Sequence, residues 1–337
     1  MNPARHALSG SVHPRRGAHV LLHTLIACVG VLPAAAMAQS QTAKPIRIVV
    51  GFSPGGGTDV TARLPAQKLS TTLGQQVVVE NRTGAAGWIA TEAVAKSPAD
   101  GYTLLMVASA TAASVAAKGN APFSLENDFV PISLVTVTSL VLLAHPSVPA
   151  RDVKTLIAHA KSAPSPLTFG SDGIGSSSHL SGELFGAMAG LRLIHVPFKG
   201  GADSAVATAA GQIQLNFPSV PSALPLLKAG KFNGLAVTTA KRSTLLPELP
   251  TLNEAGLAGY DVSTWYGLLA PAGLPAELQA KLNQAVIRTV NTDELRDFIG
   301  KQGMEAQVGS PAEFAAFMRA QMNIYSRIAK LPGVKIE

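Results

Sequence analysis

A single cysteine, Cys28, is all the thiol in 337 residues. It lies near the N-terminus, so the remainder of the chain has no thiol for a disulfide or a thiolate nucleophile. Charge is scarce too, with 14% Asp, Glu, Lys and Arg against 47% hydrophobic residues. That balance excludes a disordered chain, because burial of the apolar majority offsets the ordering entropy. Aromatic residues make up only 5%, and no basic cluster accompanies them, so a nucleic-acid partner is excluded. The formal charge of +7 does not change this: setting aside Arg5, Arg15 and Arg16 of the first 38 residues leaves 24 of 27 Lys and Arg against 20 acidic residues. The 31 glycines follow no period, which excludes a collagen-like chain. Beyond the N-terminal segment no run reaches the ~20 apolar residues of a membrane-spanning helix. His145, His179 and His195 lack metal-ligand spacing and H-E-x-x-H is missing, so no metal and no cofactor is expected.

The N-terminus carries an address. Residues 1–19 hold three Arg and three His without an acid, an apolar run follows from Val20 to Leu32, and Ala36-Met37-Ala38 closes it. That order is a secretory signal peptide cut between Ala38 and Gln39, which predicts a soluble exported chain. Leu25-Ile26-Ala27-Cys28 also resembles a lipobox, in which Cys28 would carry the lipid. The apolar run continues past it to a good cleavage site, which favours simple cleavage. Arg15-Arg16 has a poor continuation for a twin-arginine signal.

Length implies about two domains at roughly 100–200 residues each. From Ile46 onward apolar runs alternate with helical patterns. Ile46–Phe52, Gln76–Glu80 and Thr103–Val107 read as strands, and Thr58–Leu73 and Trp88–Lys96 as helices, with Pro65 expected to bend or split the first. The alternation restarts after Pro146: strands at Leu167–Gly170, Leu193–Phe198, Ile213–Phe217 and Gly234–Thr238 are separated by helices. This grammar predicts an α/β fold of two units, with parallel sheets covered on both faces, joined near Leu140–Ala144 and Leu235–Thr239. The last third is mostly helical. Ser310-Pro311-Ala312-Glu313 is a capping box opening a helix whose Phe314, Phe317, Met318 and Ile324 form a packing face for the first lobe.

Two turns stand out. Ser53-Pro54-Gly55-Gly56-Gly57-Thr58-Asp59 lies between a strand and a helix, where consecutive glycines bare backbone N–H groups at a positive helix end. Thr58 or Asp59 is expected to cap that helix, and Asp59 to orient the loop amides, since a carboxylate facing an anion repels it. Ser171, Gly173, Gly175, Ser176 and Ser177 repeat the device in the second unit, again after a strand and before a helix. One such turn is weak; a pair, one per lobe, points to a cleft closed from both sides. Ser109 and Thr111 follow the third strand, and Phe198-Lys199-Gly200-Gly201 sets one cation beside two glycines. His195, within an apolar strand, reads as a hydrogen-bonded core residue.

Other chemistries fit poorly. An exported hydrolase using Ser176 or Ser177 with His179 or His195 lacks a G-x-S-x-G elbow and a placed acid. A dinucleotide fold would put Glu80 on the ribose, yet Val60 occupies the third glycine position and Pro54 disturbs the turn.

At these turns the sequence resembles the Bug family, the TctC-type extracytoplasmic solute receptors of tripartite tricarboxylate transporters. The resemblance spans the mature chain, through stretches such as IRIVVGFSPGGGTDVTAR (46–63), VVVENRTGAAG (77–87), HVPFKGGADSA (195–205) and WYGLLAPAGLP (265–275). It implies a two-lobed, type II-like periplasmic binding fold, each lobe a mixed or parallel sheet with helices on both faces. The expected division is 39–141 with 240–337 as lobe 1 and 142–239 as lobe 2. It further implies a monomeric, non-enzymatic receptor that binds a small carboxylate between the lobes and hands it to membrane permease subunits; a sensor-kinase partner is the alternative. The implied ligand contacts are Ser53, Gly55, Gly56, Gly57, Thr58, Asp59, Ser109, Thr111, Ser171, Gly173, Gly175, Ser176, Ser177, Phe198, Lys199 and Ser219. Family members often read Phe-Asp-Ser where this chain has Phe217-Pro218-Ser219, and the missing acceptor weakens the case for an amino-bearing ligand. The Ala108–Thr111 segment also departs from the Gly-Thr-rich version usual in the family.

Overall fold

The computed structural model describes residues 44–336; the expected export signal, its cut between Ala38 and Gln39, and Cys28 lie outside them. The chain runs β1 (Ile46–Val50), α1 (Gly57–Leu73), β2 (Val77–Asn81), a 3-10 turn (Ala85–Gly87), α2 (Trp88–Ala95), β3 (Thr103–Ala108), α3 (Ser109–Lys118) and β4 (Phe129–Ser139). It continues through β5 (Val141–Ala144), α4 (Val153–Ser162), β6 (Leu167–Ser171), α5 (Ser177–Ala189), β7 (Leu193–Pro197), α6 (Gly201–Ala209), β8 (Leu215–Asn216), α7 (Val220–Lys228) and β9 (Asn233–Val237). It closes with β10 (Ser263–Pro271), α8 (Ala276–Val290), α9 (Asp293–Lys301), β11 (Glu305–Ala306) and α10 (Pro311–Ala329).

Two mixed sheets result, in the orders β11-β4-β10-β3-β1-β2 and β7-β6-β8-β5-β9. The strands that alternate with helices pair in parallel, β1 with β2 and β3, and β6 with β7 and β8. The antiparallel pairs are β10 beside β3 and β4, β11 beside β4, and β5 beside β8 and β9. Residues of β1 alternate between two cores as a strand covered on both faces requires. Ile48 and Val50 pack with Ala62, Ala66 and Leu69 of α1, whereas Val49 packs with Ala90 and Val94 of α2.

The chain passes from the first sheet to the second at Leu140, directly between β4 and β5. Thr238, fully buried, ties this passage to the return. Its N–H donates to the Leu140 carbonyl (3.1 Å), its Oγ1 accepts from the Leu140 N–H (3.0 Å), and the same hydroxyl donates to the Val262 carbonyl (2.6 Å). Both crossings are therefore stapled at one residue.

Two expectations need correction. Pro65 does not split α1, which runs unbroken through it. The lost backbone bond costs about 3 kcal/mol, but Pro65, Ala66 and Leu69 are buried against the sheet and hold the helix together. Neither Thr58 nor Asp59 caps α1 either; its N-cap is Gly56, without a side-chain bond of its own. The capping box at the last helix is present as read, with Ser310 Oγ accepting from the Glu313 N–H at 3.2 Å. Phe314 of α10 packs so tightly on Gly267 that a Cβ there would stand 2.2 Å from its ring.

Candidate functional site

The first glycine turn joins β1 to α1. Gly55 has φ +77°, a conformation that favours glycine, and its N–H donates to Asp59 Oδ2 at 2.9 Å. Asp59 is fully engaged: Arg63 Nε lies 2.9 Å from it, and Asn81 Nδ2 donates to Oδ1 at 2.8 Å. Burial opposes its charge, but these bonds prevail and hold its carboxyl below the usual range. Asp59 thus shapes the turn, and Thr58 is buried beside it.

The free N–H groups of α1 are met from the other lobe. Gly57 N donates to Ser222 Oγ of α7 at 3.0 Å, and Ser222 Oγ lies 2.9 Å from Ser219 Oγ, at the N-cap of α7. Ser53 Oγ is hydrogen-bonded to Asp203 in the first turn of α6. Gly57 must be glycine for this approach, since a Cβ would stand 2.1 Å from the Tyr266 hydroxyl and 2.6 Å from Ser219 Oγ. Gly56 is less crowded: its Cβ would lie 3.8 Å from both Ala202 N and Ser222 Oγ.

The second turn joins β6 to α5, with Gly173 at φ +128° and Gly175 at φ +79°. It is held from behind by two stacked imidazoles, His179 and His195, whose centroids are 3.6 Å apart. Gly175 N donates to His179 Nδ1 (2.9 Å), and Ser171 Oγ lies 2.6 Å from His195 Nε2. Burial lowers both imidazoles, His179 to about 3 with His195 and Lys118 adding to the effect, and His195 to about 4. Both are therefore neutral at pH 7, which leaves His179 Nδ1 a hydrogen-bond acceptor. His195 is hydrogen-bonded as its strand suggested, but it is half-buried on an edge strand and not a core residue. Ser176 caps α5 through the His179 N–H at 3.2 Å.

This turn in turn meets the first lobe. Ser177 Oγ lies 3.1 Å from Ser109 Oγ, which is 2.5 Å from Thr264 Oγ1, and Ser114 Oγ donates to the Ile174 carbonyl at 3.2 Å. Thr111 Oγ1 donates to the Ala86 carbonyl (3.0 Å), and a Cβ on Gly173 would stand 3.3 Å from Ala86. Five helix N-termini, those of α1, α3, α5, α6 and α7, thus line the seam between the lobes. Their aligned peptide dipoles make the seam attractive to negative oxygen atoms.

The expected residues fall into groups. Ser53, Gly56, Gly57, Ser109, Ser177 and Ser219 meet at the seam. Ser171 and Ser176 brace the second turn, Gly55 and Asp59 brace the first, and Phe198 is half-buried while Lys199 is exposed. Sequence reading passed over Asp172, Ser222, Asp203, Tyr266 and Thr264. Asp172 had a signal, a carboxylate within a Gly/Ser turn; Tyr266 and Thr264 had none, because β10 reaches the seam only through its pairing with β3. Asp172 is distinctive: its Oδ1 is shut from solvent without a hydrogen-bond partner. Burial pushes this carboxyl up to about 6, with Ser178 offsetting part of the shift. Burial, with the Asp172 charge as a smaller contribution, also raises the Tyr266 hydroxyl above its ordinary value. Glu80 is paired with Arg47 and Arg82. Ser176 and Ser177 make no hydrogen bond to an imidazole nitrogen among the described contacts.

Residues 61–333 match the family described as the tripartite tricarboxylate transporter family receptor, TctC. Protein BugT of Bordetella pertussis is 32% identical over 321 residues, covering 93% of this chain and 98% of that protein. Among solved structures, Rpa4515 of R. palustris with adipate superposes with a TM-score of 0.83 at 36% identity, covering 86% of this chain and 97% of that one. MatC from Rhodopseudomonas palustris with bound malate gives 0.81 at 30% identity, covering 85% and 99%.

Proposed function

Since this chain belongs to the tripartite tricarboxylate transporter family of periplasmic receptors, we propose that it closes its two lobes over a small organic acid and delivers it to the membrane subunits of such a transporter. The observation that carries this reading is the meeting of helix N-termini from both lobes along one seam, with Gly57 N–H donating to Ser222 and Ser109 facing Ser177. A buried carboxylate costs several kcal/mol unless it is densely hydrogen-bonded, and such a seam supplies N–H and hydroxyl donors from both sides. Closure then gains from contacts that only the closed state makes. The relatives described with adipate and malate favour a dicarboxylate. Ser53, Gly56, Gly57, Ser109, Ser177 and Ser219 are the contacts expected at the ligand, and residues 39–141 with 240–337 move as one lobe against 142–239. The receptor acts as a monomer without turnover, and its N-terminal signal peptide takes it to the periplasm.

The test is a thermal-unfolding screen of the purified mature chain with adipate, malate, citrate, benzoate and amino acids, followed by solution scattering on any hit. A rise of several degrees with a fall in radius of gyration is expected. A flat screen, with no ligand carried through purification, contradicts the reading.

A further inference from the structure

We propose that Asp172 receives a cationic amino group of the bound acid, so that this receptor selects an amino-bearing carboxylate over the parent acid. This rests on the carboxylate-receptor reading above. Asp172 Oδ1 is shut from solvent and has no hydrogen-bond partner in the protein. It stands at the seam: a Cβ on Gly201, the first residue of α6, would lie 3.2 Å from it and 3.0 Å from Ser222 Oγ. Glycine at 201 therefore keeps a side chain from crowding this oxygen, next to the helix start that would receive the ligand carboxylate.

The groups that act on Asp172 are few. The Ser178 hydroxyl favours its charge, and Tyr266, on β10, feels that charge. No lysine or arginine forms an ion pair with it among the described residues. A charged carboxylate oxygen shut from water gains more from a counter-charge than from a neutral donor, since a hydroxyl satisfies a lone pair but leaves the charge uncompensated. A metal ion is a poor candidate, because no group of three potential ligands occurs among the described residues. Beyond the partial charge of the helix N-termini, the ligand itself is the remaining source of positive charge. An ammonium close to a carboxylate fits a seam where an acidic side chain adjoins a helix N-terminus. The acceptor that Pro218 removes from one loop is thus supplied by another.

The test is calorimetric titration of wild type and Asp172→Asn with matched pairs: succinate and aspartate, glutarate and glutamate, adipate and 2-aminoadipate. In at least one pair the amino member is expected to bind wild type ~10-fold or more tightly than its parent, and Asp172→Asn is expected to abolish that preference. If parent acids bind as well as their amino partners, or the preference survives in Asp172→Asn, the assignment to Asp172 is overturned while the carboxylate receptor stands. If no member of any pair binds wild type, both readings are overturned. Should the variant fail to fold, the wild-type preference decides alone.

Discussion

At the scale of single residues the seam has little tolerance for volume. Gly57→Ala places a methyl group 2.1 Å from the Tyr266 hydroxyl. Overpacking of this kind costs about 1–3 kcal/mol, while alanine itself favours the helix. The expected result in calorimetry is a loss of affinity of ~10-fold or more with a retained circular dichroism spectrum. Gly56→Val is expected to abolish binding in the same assay, because its branched methyls extend toward Ala202 and Ser222. Asp172 makes a separate prediction about pH. Its folded value of about 6 lies above the ordinary 3.8, so between these limits the folded chain holds more proton than the unfolded one. Its stabilising contribution is present below pH ~4 and is lost as pH rises through ~6, amounting to about 3 kcal/mol at most. Asp172→Asn is therefore expected to gain unfolding temperature relative to wild type between pH 4 and pH 7. A constant difference across that range contradicts the assignment.

At the scale of elements, α5 and β7 share the imidazole stack that holds the second turn. Here the sign is opposite, because both folded values, about 3 and about 4, lie below the ordinary 6.5. Stability from burying the neutral rings is complete above pH 6.5 and falls away as pH drops toward 4, since the unfolded chain takes up the protons first. His195→Phe keeps a ring against Phe169 but releases Ser171. It is expected to flatten the acid limb of the stability–pH curve measured by urea unfolding, and to weaken ligand binding through a looser turn. An unchanged acid limb contradicts the role given to His195. Elements differ in how far sequence announces them. β1, β3 and β6 are short apolar runs followed by glycine or small polar residues, so strand, turn and helix were all legible locally. The cap of α1 was not, because its partner Ser222 is supplied by a distant helix. Pro65 misled for a related reason: its local cost is plain in the sequence, whereas the burial that outweighs it belongs to the assembled sheet.

At the scale of the whole molecule, two sheets are joined by a double crossing. The restart of the strand–helix alternation after Pro146 announces a second sheet, but not the antiparallel course of β10 or the knot of bonds at Thr238. Thr238→Val keeps the shape and removes the hydroxyl that serves Leu140 and Val262. The buried groups left unpaired are expected to lower stability by roughly 1–3 kcal/mol, read as a shift of the urea midpoint. No shift would mean that the crossing is held by packing alone. Relations of this kind depend on residues from separate stretches of chain meeting in space, and no local pattern encodes them.

The central claim is that main-chain donors from opposite lobes grip one carboxylate together. Its most direct test is titration of the isotope-labelled chain with the tightest-binding acid from the screen, following backbone amide resonances. The account predicts that the amides of residues 55–57 and of 173–177 shift together with a single dissociation constant. Shifts confined to one turn, or absent from both, would contradict it.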